Sequence, residues 1–138
     1  MAPYHVNFHT LDGRPIFEDE SYDQAVRVYV RDAIRRHKIL CPAHEVMPTH
    51  VHMIIEDFPD LLRGSIIHLV KGSAAHVFFD AFPELRADLL GGHLWTKGYH
   101  YVEITSHRQF LATLQYVRTN REHADLPPPV PLKPANER

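Results

Sequence analysis

The sequence predicts an α+β fold: a ferredoxin-like, mainly antiparallel sheet with helices packed on one face, followed by a C-terminal helix that carries a tyrosine. Two observations carry this prediction. Segments of strand and helix periodicity follow one another in the order β-α-β-β-α-β-β-α, and the first six match the split βαβ plan. Helix starts are marked twice by a serine with glutamine three residues on, at Ser21/Gln24 and Ser106/Gln109.

The elements follow in order. Tyr4 to Thr10 alternates in character and reads as a strand, closed by the turn signal Asp12-Gly13-Arg14-Pro15. From Ser21 a helix runs to about Lys38, with Tyr22, Ala25, Val26, Tyr29, Ala33 and Ile34 at helical spacing. Ile39 to Met47 reads as a strand that Pro42 assigns to an edge or a bulge. After the turn at Pro48-Thr49, His50 to Glu56 forms the next strand, and a second helix spans Asp60 to Phe79. Leu94 to Lys97 and Tyr99 to Thr105 read as short strands around Gly98, and Ser106 opens a final helix to about His123. Residues 1–124 are expected to form one domain. Residues 125–138, rich in proline, are expected to form an extended tail.

Composition narrows the function classes. The chain has 138 residues, 44% hydrophobic and 23% charged, as one globular domain requires. A single cysteine, Cys41, excludes a disulfide framework and a cysteine-rich zinc site. No apolar run reaches the roughly 18 residues of a membrane helix, and the N-terminus does not read as a secretory signal, so a cytoplasmic protein is expected. Net charge is −2, which argues against indiscriminate coating of duplex DNA. A local basic patch exists at Arg27, Arg31, Arg35, Arg36 and Lys38; it reads equally as a solvated helix face.

Met47-Pro48-Thr49-His50-Val51-His52-Met53-Ile54-Ile55 carries the strongest chemical signal. On a strand, residues two apart share a face and lie about 6.6 Å apart. His50 and His52 can therefore meet one metal ion while Val51, Met53 and Ile55 pack on the opposite face. A third protein ligand and open positions would complete a catalytic site. By itself the pair is also readable as hydrogen-bonded histidines on a half-buried strand. A histidine-triad hydrolase would need a third histidine where Ile54 stands. In the last helix Phe110, Leu111, Leu114 and Val117 form an apolar stripe, with Tyr116 beside it and Asn120 one turn on. Spacing alone does not separate Tyr116 from Tyr4, Tyr22, Tyr29, Tyr99 or Tyr101, nor from a packing role.

Together these residues resemble the single-tyrosine HUH transposases of bacterial insertion sequences and the related REP-associated tyrosine transposases, over about residues 4 to 123. Tyr4-His5-Val6 with Arg14-Pro15-Ile16-Phe17 resembles the family's opening strand and turn. Met47 to Ile55 resembles its His-hydrophobic-His motif, Val70-Lys71-Gly72-Ser73 its Lys-Gly-Ser stretch, and Leu94 to Tyr99 its Trp-x-x-Gly-Tyr pair. Gln115-Tyr116-Val117 aligns with the nucleophilic tyrosine. Each motif is short; their order and spacing together carry the resemblance.

The resemblance implies metal-dependent cleavage and rejoining of single-stranded DNA beside a hairpin, through a 5′-phosphotyrosine on Tyr116. It implies a divalent Mg or Mn ion held by His50 and His52, and a homodimer. The family commonly places glutamine four residues after the tyrosine as a further metal ligand. Here that position is Asn120, with His123 as a substitute candidate. Lys71, Arg63, Arg31 and Arg35 are the candidate phosphate contacts, and Trp95 or Tyr99 the candidates for base stacking; Trp95 also reads as core. Two alternatives follow: a domesticated or inactive transposase that keeps only nucleic-acid binding, and a metal-dependent hydrolase that uses water in place of the tyrosine.

Overall fold

Strands Tyr4–His9 (β1), Leu40–Met47 (β2), His50–Glu56 (β3) and His100–Glu103 (β4) form one antiparallel sheet in the order β2-β3-β1-β4. The helices are Glu20–Arg36 (α1), Asp60–Ala81 (α2), Pro83–Asp88 (α3), His107–Arg118 (α4) and Asn120–His123 (α5). This computed structural model describes residues 2–56 and 60–126; the expected proline-rich tail lies, from residue 127 on, outside the described residues. The result is the α+β architecture predicted from the sequence. Among the described residues no helix is long and apolar enough to cross a membrane.

Strand register divides the side chains. Asn7 pairs with His52 and His9 with His50 between β1 and β3, and Asn7 also faces His100 on β4. Partners directly opposite each other share a face, so β1 and β3 present their polar side chains together. The alternate positions Val6, Phe8, Val51, Met53 and Ile55 point the other way, into a core shared with Val26 and Val30 of α1 and Ile67, Val70 and Phe78 of α2. A smaller cluster of Ala43, Ile54, Ile104 and Val117 lies on the polar side and seats α4 there. The sheet therefore carries α1 and α2 on one face and the tyrosine-bearing helix on the other.

Four local expectations are corrected. The cap of α1 is Asp19, whose carboxylate accepts from Ser21 N at 2.8 Å and Tyr22 N at 3.2 Å, rather than Ser21. A carboxylate at this position also meets the positive end of the helix. The expected strand Leu94–Lys97 makes only a single bridge, Thr10 to Trp95. Leu94 and Trp95 turn inward instead, the indole lying edge-on to Phe8 at 4.8 Å. Lys71 donates to Thr96 O at 3.0 Å and Gly98 O at 2.6 Å, and Gly98 adopts φ +88° in the turn that leads into β4. The expected strand Tyr99–Thr105 shortens to His100–Glu103. The last helix, expected to continue to His123, breaks at Thr119 into α4 and α5. Pro42 behaves as expected: β2 is an edge strand, with a register shift between Leu40 and Ala43.

Candidate active site

The turn before β3 is held from two sides. Phe17 N donates to Pro48 O at 3.1 Å and Thr10 N to Thr49 O at 2.9 Å, which fixes the entry of His50. The two imidazoles then converge: His50 Nε2 and His52 Nε2 are 2.8 Å apart. Each ring is held by its other nitrogen. Thr49 Oγ1 lies 2.9 Å from His50 Nδ1, and His5 Nε2 lies 3.1 Å from His52 Nδ1. Burial pushes the His50 pKa down to about 4 with help from His9, and that of His52 to about 3 with help from His50, His5 and His9. Both rings are neutral at pH 7, the form in which imidazole binds metal.

The third component arrives on α4. Ser106 caps the helix by accepting from Gln109 N at 3.0 Å, and Gln109 Oε1 accepts from Thr105 N at 2.8 Å. Val117 is fully buried in the smaller core, which leaves the preceding Tyr116 at the rim, 46% exposed. Its ring centre lies 5.9 Å from that of His52 at 90°, and 6.2 Å from that of His5. The break at Thr119 turns Asn120 inward to 5% exposure. His123 stacks on Tyr116 with ring centres 6.1 Å apart, its Nε2 3.1 Å from Thr119 Oγ1.

A buried ion cluster pins α5 in this position. Arg121 donates to Val46 O at 3.0 Å and lies 3.6 Å from Asp23. Arg27 donates to Asp23 at 2.8 Å and to Val46 O at 3.0 Å, and pairs with Glu45.

His50, His52, Tyr116, Asn120 and His123 thus line one depression of ≈ 410 Å³. The basic candidates lie elsewhere. Arg63 stacks over Tyr101 at 3.6 Å and Tyr4 at 4.6 Å, with Nε donating to the Tyr99 hydroxyl at 3.3 Å. Lys71 clamps the turn at Thr96 and Gly98 and lines a second depression of ≈ 690 Å³ beside α2. Arg31 is 8% exposed and contacts Asp32, whereas Arg35 is exposed; both sit on α1, across the sheet from the histidines. Trp95 packs in the core, donating to Lys71 O at 3.0 Å, while Tyr99 is half-buried.

Among the described residues, no group of three His, Cys, Asp or Glu side chains is placed to hold a metal ion. The donor set available to one is two imidazoles and an amide, and it fits a divalent cation. With hydrogen-bond partners at both Nδ1 atoms, the two Nε2 atoms face each other and can turn both lone pairs toward one cation once each ring carries its hydrogen on Nδ1, and Asn120 can add an amide oxygen from the same depression. The floor, through Asn7 and His9, and the strand face beside it, through His5, include residues that the sequence reading passed over. His5, Asn7 and His9 share the polar face of β1, and Asn7 Oδ1 is buried without a hydrogen-bond partner. Their signal was the period-two polarity of the first strand, recognised as a strand but not as a site wall.

A family model described as IS200-like transposase matches residues 2–120. The ISDra2 transposase TnpA of Deinococcus radiodurans is 33% identical over 70 residues, a stretch covering 51% of this chain and 50% of that protein. The chain thus spans about half the length of that relative. Among solved structures, a transposase candidate from Deinococcus radiodurans superposes with TM-score 0.65 at 28% identity, over 83% of this chain and 87% of that one. A REP-associated tyrosine transposase bound to a REP hairpin shares the fold, with TM-score 0.65 at 16% identity, over 89% of this chain and 68% of that one.

Proposed function

Because the chain belongs to the IS200-like transposase family, we propose that it is a metal-dependent endonuclease and strand transferase for single-stranded DNA, with Tyr116 as nucleophile. The observation that carries this reading is the convergence of His50, His52 and Tyr116, from two different elements, on one open depression. A core tyrosine would not be half exposed beside two neutral imidazoles.

In the proposed reaction the Tyr116 oxygen attacks the scissile phosphorus as its phenolic proton leaves. The bond to the 3′ oxygen breaks, and that oxygen departs as a free 3′-hydroxyl after taking up a proton. The DNA remains joined to Tyr116 by a 5′-phosphotyrosine ester. Attack on that ester by another 3′-hydroxyl restores a phosphodiester without an external energy source, since one ester replaces another. A Mg or Mn ion, when bound, polarises a phosphate oxygen and offsets the charge that builds during attack. His50 and His52 would hold it, with Asn120 as the third protein donor. Asn120 has a shorter side chain than glutamine; the helix break at Thr119, which buries it against the depression, supports ligation despite the missing methylene. His123, tied to Thr119 and stacked on Tyr116, serves to orient the nucleophile.

The substrate proposed is single-stranded DNA flanked by a hairpin; one of the fold neighbours is bound to a REP hairpin. Arg63 and Arg35, which lie off the depression, are proposed only as contacts to phosphates distant from the scissile bond, and Lys71 fixes the turn at Thr96 to Gly98. A homodimer is part of the proposal. β4 is an edge strand in which all 4 residues are exposed, a surface that a second copy can cover.

A denaturing gel tests the reading. Protein, Mn²⁺ and labelled single-stranded DNA from the flanks of the gene should give a covalent adduct, lost in Tyr116→Phe and in His50→Ala. Nicking that survives Tyr116→Phe would instead support a hydrolase that uses water. DNA binding with neither nick nor adduct would support a nucleic-acid-binding relative that has lost cleavage, the reading that Asn120 keeps open.

A further inference from the structure

The hydrogen-bond chain Thr49–His50–His52–His5 contains more order than two ligands require. A neutral imidazole carries one N–H. In the chain the contacts are Thr49 Oγ1 to His50 Nδ1 at 2.9 Å, His50 Nε2 to His52 Nε2 at 2.8 Å, and His52 Nδ1 to His5 Nε2 at 3.1 Å. Without a cation, one hydrogen must lie between the two Nε2 atoms. With a cation on both Nε2 lone pairs, each ring must carry its hydrogen on Nδ1. The two ends of the chain therefore have to satisfy both states, and they are chemically different. A threonine hydroxyl donates or accepts by rotating about one bond. An imidazole nitrogen does only one at a time.

We propose that His5 is a positioning residue: its Nε2 accepts from His52 Nδ1–H and holds the His52 Nε2 lone pair toward the ligand position. This inference rests on the reading of His50 and His52 as metal ligands. With His5 accepting, His52 is already in its ligating tautomer before a cation enters. The hydrogen between the two Nε2 atoms then belongs to His50, and only His50 exchanges tautomer while the Thr49 hydroxyl turns from donor to acceptor. With His5 donating, His52 and His5 would both have to exchange, because two N–H groups would otherwise oppose each other across 3.1 Å. The ring stacking, centres 5.2 Å apart and 22° between planes, keeps His5 alongside His52. A residue present only to fill space would meet that condition with any ring; the acceptor at Nε2 is the added requirement.

Two variants separate these roles. His5→Phe keeps a ring but removes the acceptor. His5→Gln places an amide oxygen the same number of bonds beyond Cβ as the imidazole Nε2. Long-range ¹H–¹⁵N spectra of the metal-free protein report which nitrogen of His52 carries the hydrogen, and calorimetry with Mn²⁺ alone reports affinity. The expected result is Nδ1–H on His52 in the wild type and in His5→Gln, with Nε2–H appearing in His5→Phe. Mn²⁺ binding should weaken about 10–100-fold in His5→Phe and recover in His5→Gln. A wild-type His52 carrying its hydrogen on Nε2 overturns the proposal, as does a folded His5→Phe with unchanged Mn²⁺ affinity, or a His5→Gln as weak as His5→Phe. Should the wild type bind no Mn²⁺ at all, the ligand reading fails separately, and the His52 spectrum still decides the position of the hydrogen.

Discussion

His44 shows how one side chain can register the packing of a whole face. It faces Met53 across β2 and β3, on the side covered by α1. Burial, with the nearby positive charges of Arg27, Arg31 and Arg35, pushes its pKa from the ordinary 6.5 down to about 4. The folded state thus binds fewer protons than the unfolded chain between these values. The stabilisation linked to neutral His44 is complete above about pH 6.5 and is lost as pH falls toward 4, by an amount on the order of 2–3 kcal/mol. Thermal melts from pH 7.5 to 4.5 should fall more steeply for the wild type than for His44→Gln; parallel curves would refute the assignment. At the same scale, Tyr116 differs from the other tyrosines in its neighbours. Tyr4 is 2% exposed in the core, whereas Tyr116 is 46% exposed and faces His52 and His5.

Among the α-helices of the described residues, α5 is the shortest and the most dependent on its surroundings. Four residues, Asn120–His123, form about one turn, too short to hold a helix by propensity alone. Its position comes from Arg121, inserted among Asp23, Arg27 and Val46 O, so that α1 and β2 jointly decide where Asn120 points. Removing one member of a buried charge cluster leaves the others uncompensated and costs about 3–5 kcal/mol. Arg121→Met should lower the urea-unfolding free energy by that amount; a loss below about 1 kcal/mol would show that α5 is placed by something else. The segment Leu94–Lys97 teaches a related lesson. Its alternation suits a strand, but Trp95 gains more by packing on Phe8 and Phe17 than by extending a ladder.

Over the whole molecule, a net charge of −2 has to coexist with a polyanionic substrate in the proposed function. The structure resolves part of this tension by distribution. Arg27 and Arg121 pair with the buried Asp23 and Glu45, and the β1 stretch that faces His50 and His52 presents His5, Asn7 and His9, none of them a carboxylate. The other whole-molecule question is the exposed β4, where Val102 is 56% exposed and Tyr101 49%. If β4 lies in the homodimer interface proposed, Val102→Lys should weaken self-association roughly tenfold or more, equivalent to about 1.4 kcal/mol. Light scattering across a dilution series would measure it, and an unchanged mass profile would place the interface elsewhere or remove it.

The order of the first five elements, the fold class and the His50/His52 pair were legible from the sequence because they rest on local rules. Strand alternation sends Val51 and Met53 one way and the two histidines the other, whatever the rest of the chain does. Pro42 likewise announced an edge, since it has no N–H to give a ladder. What only the tertiary structure decided involves residues distant in sequence. The meeting of Tyr116 with His5 and His52, the seating of α4 on the polar face through Val117, Ile54 and Ile104, and the break that turns Asn120 inward all depend on long-range packing. His5 meets His52 only because β1 and β3 pair in one register, and a slip of one residue would send its side chain to the opposite face. Local periodicity says which way a side chain points; only the folded sheet says what it meets there.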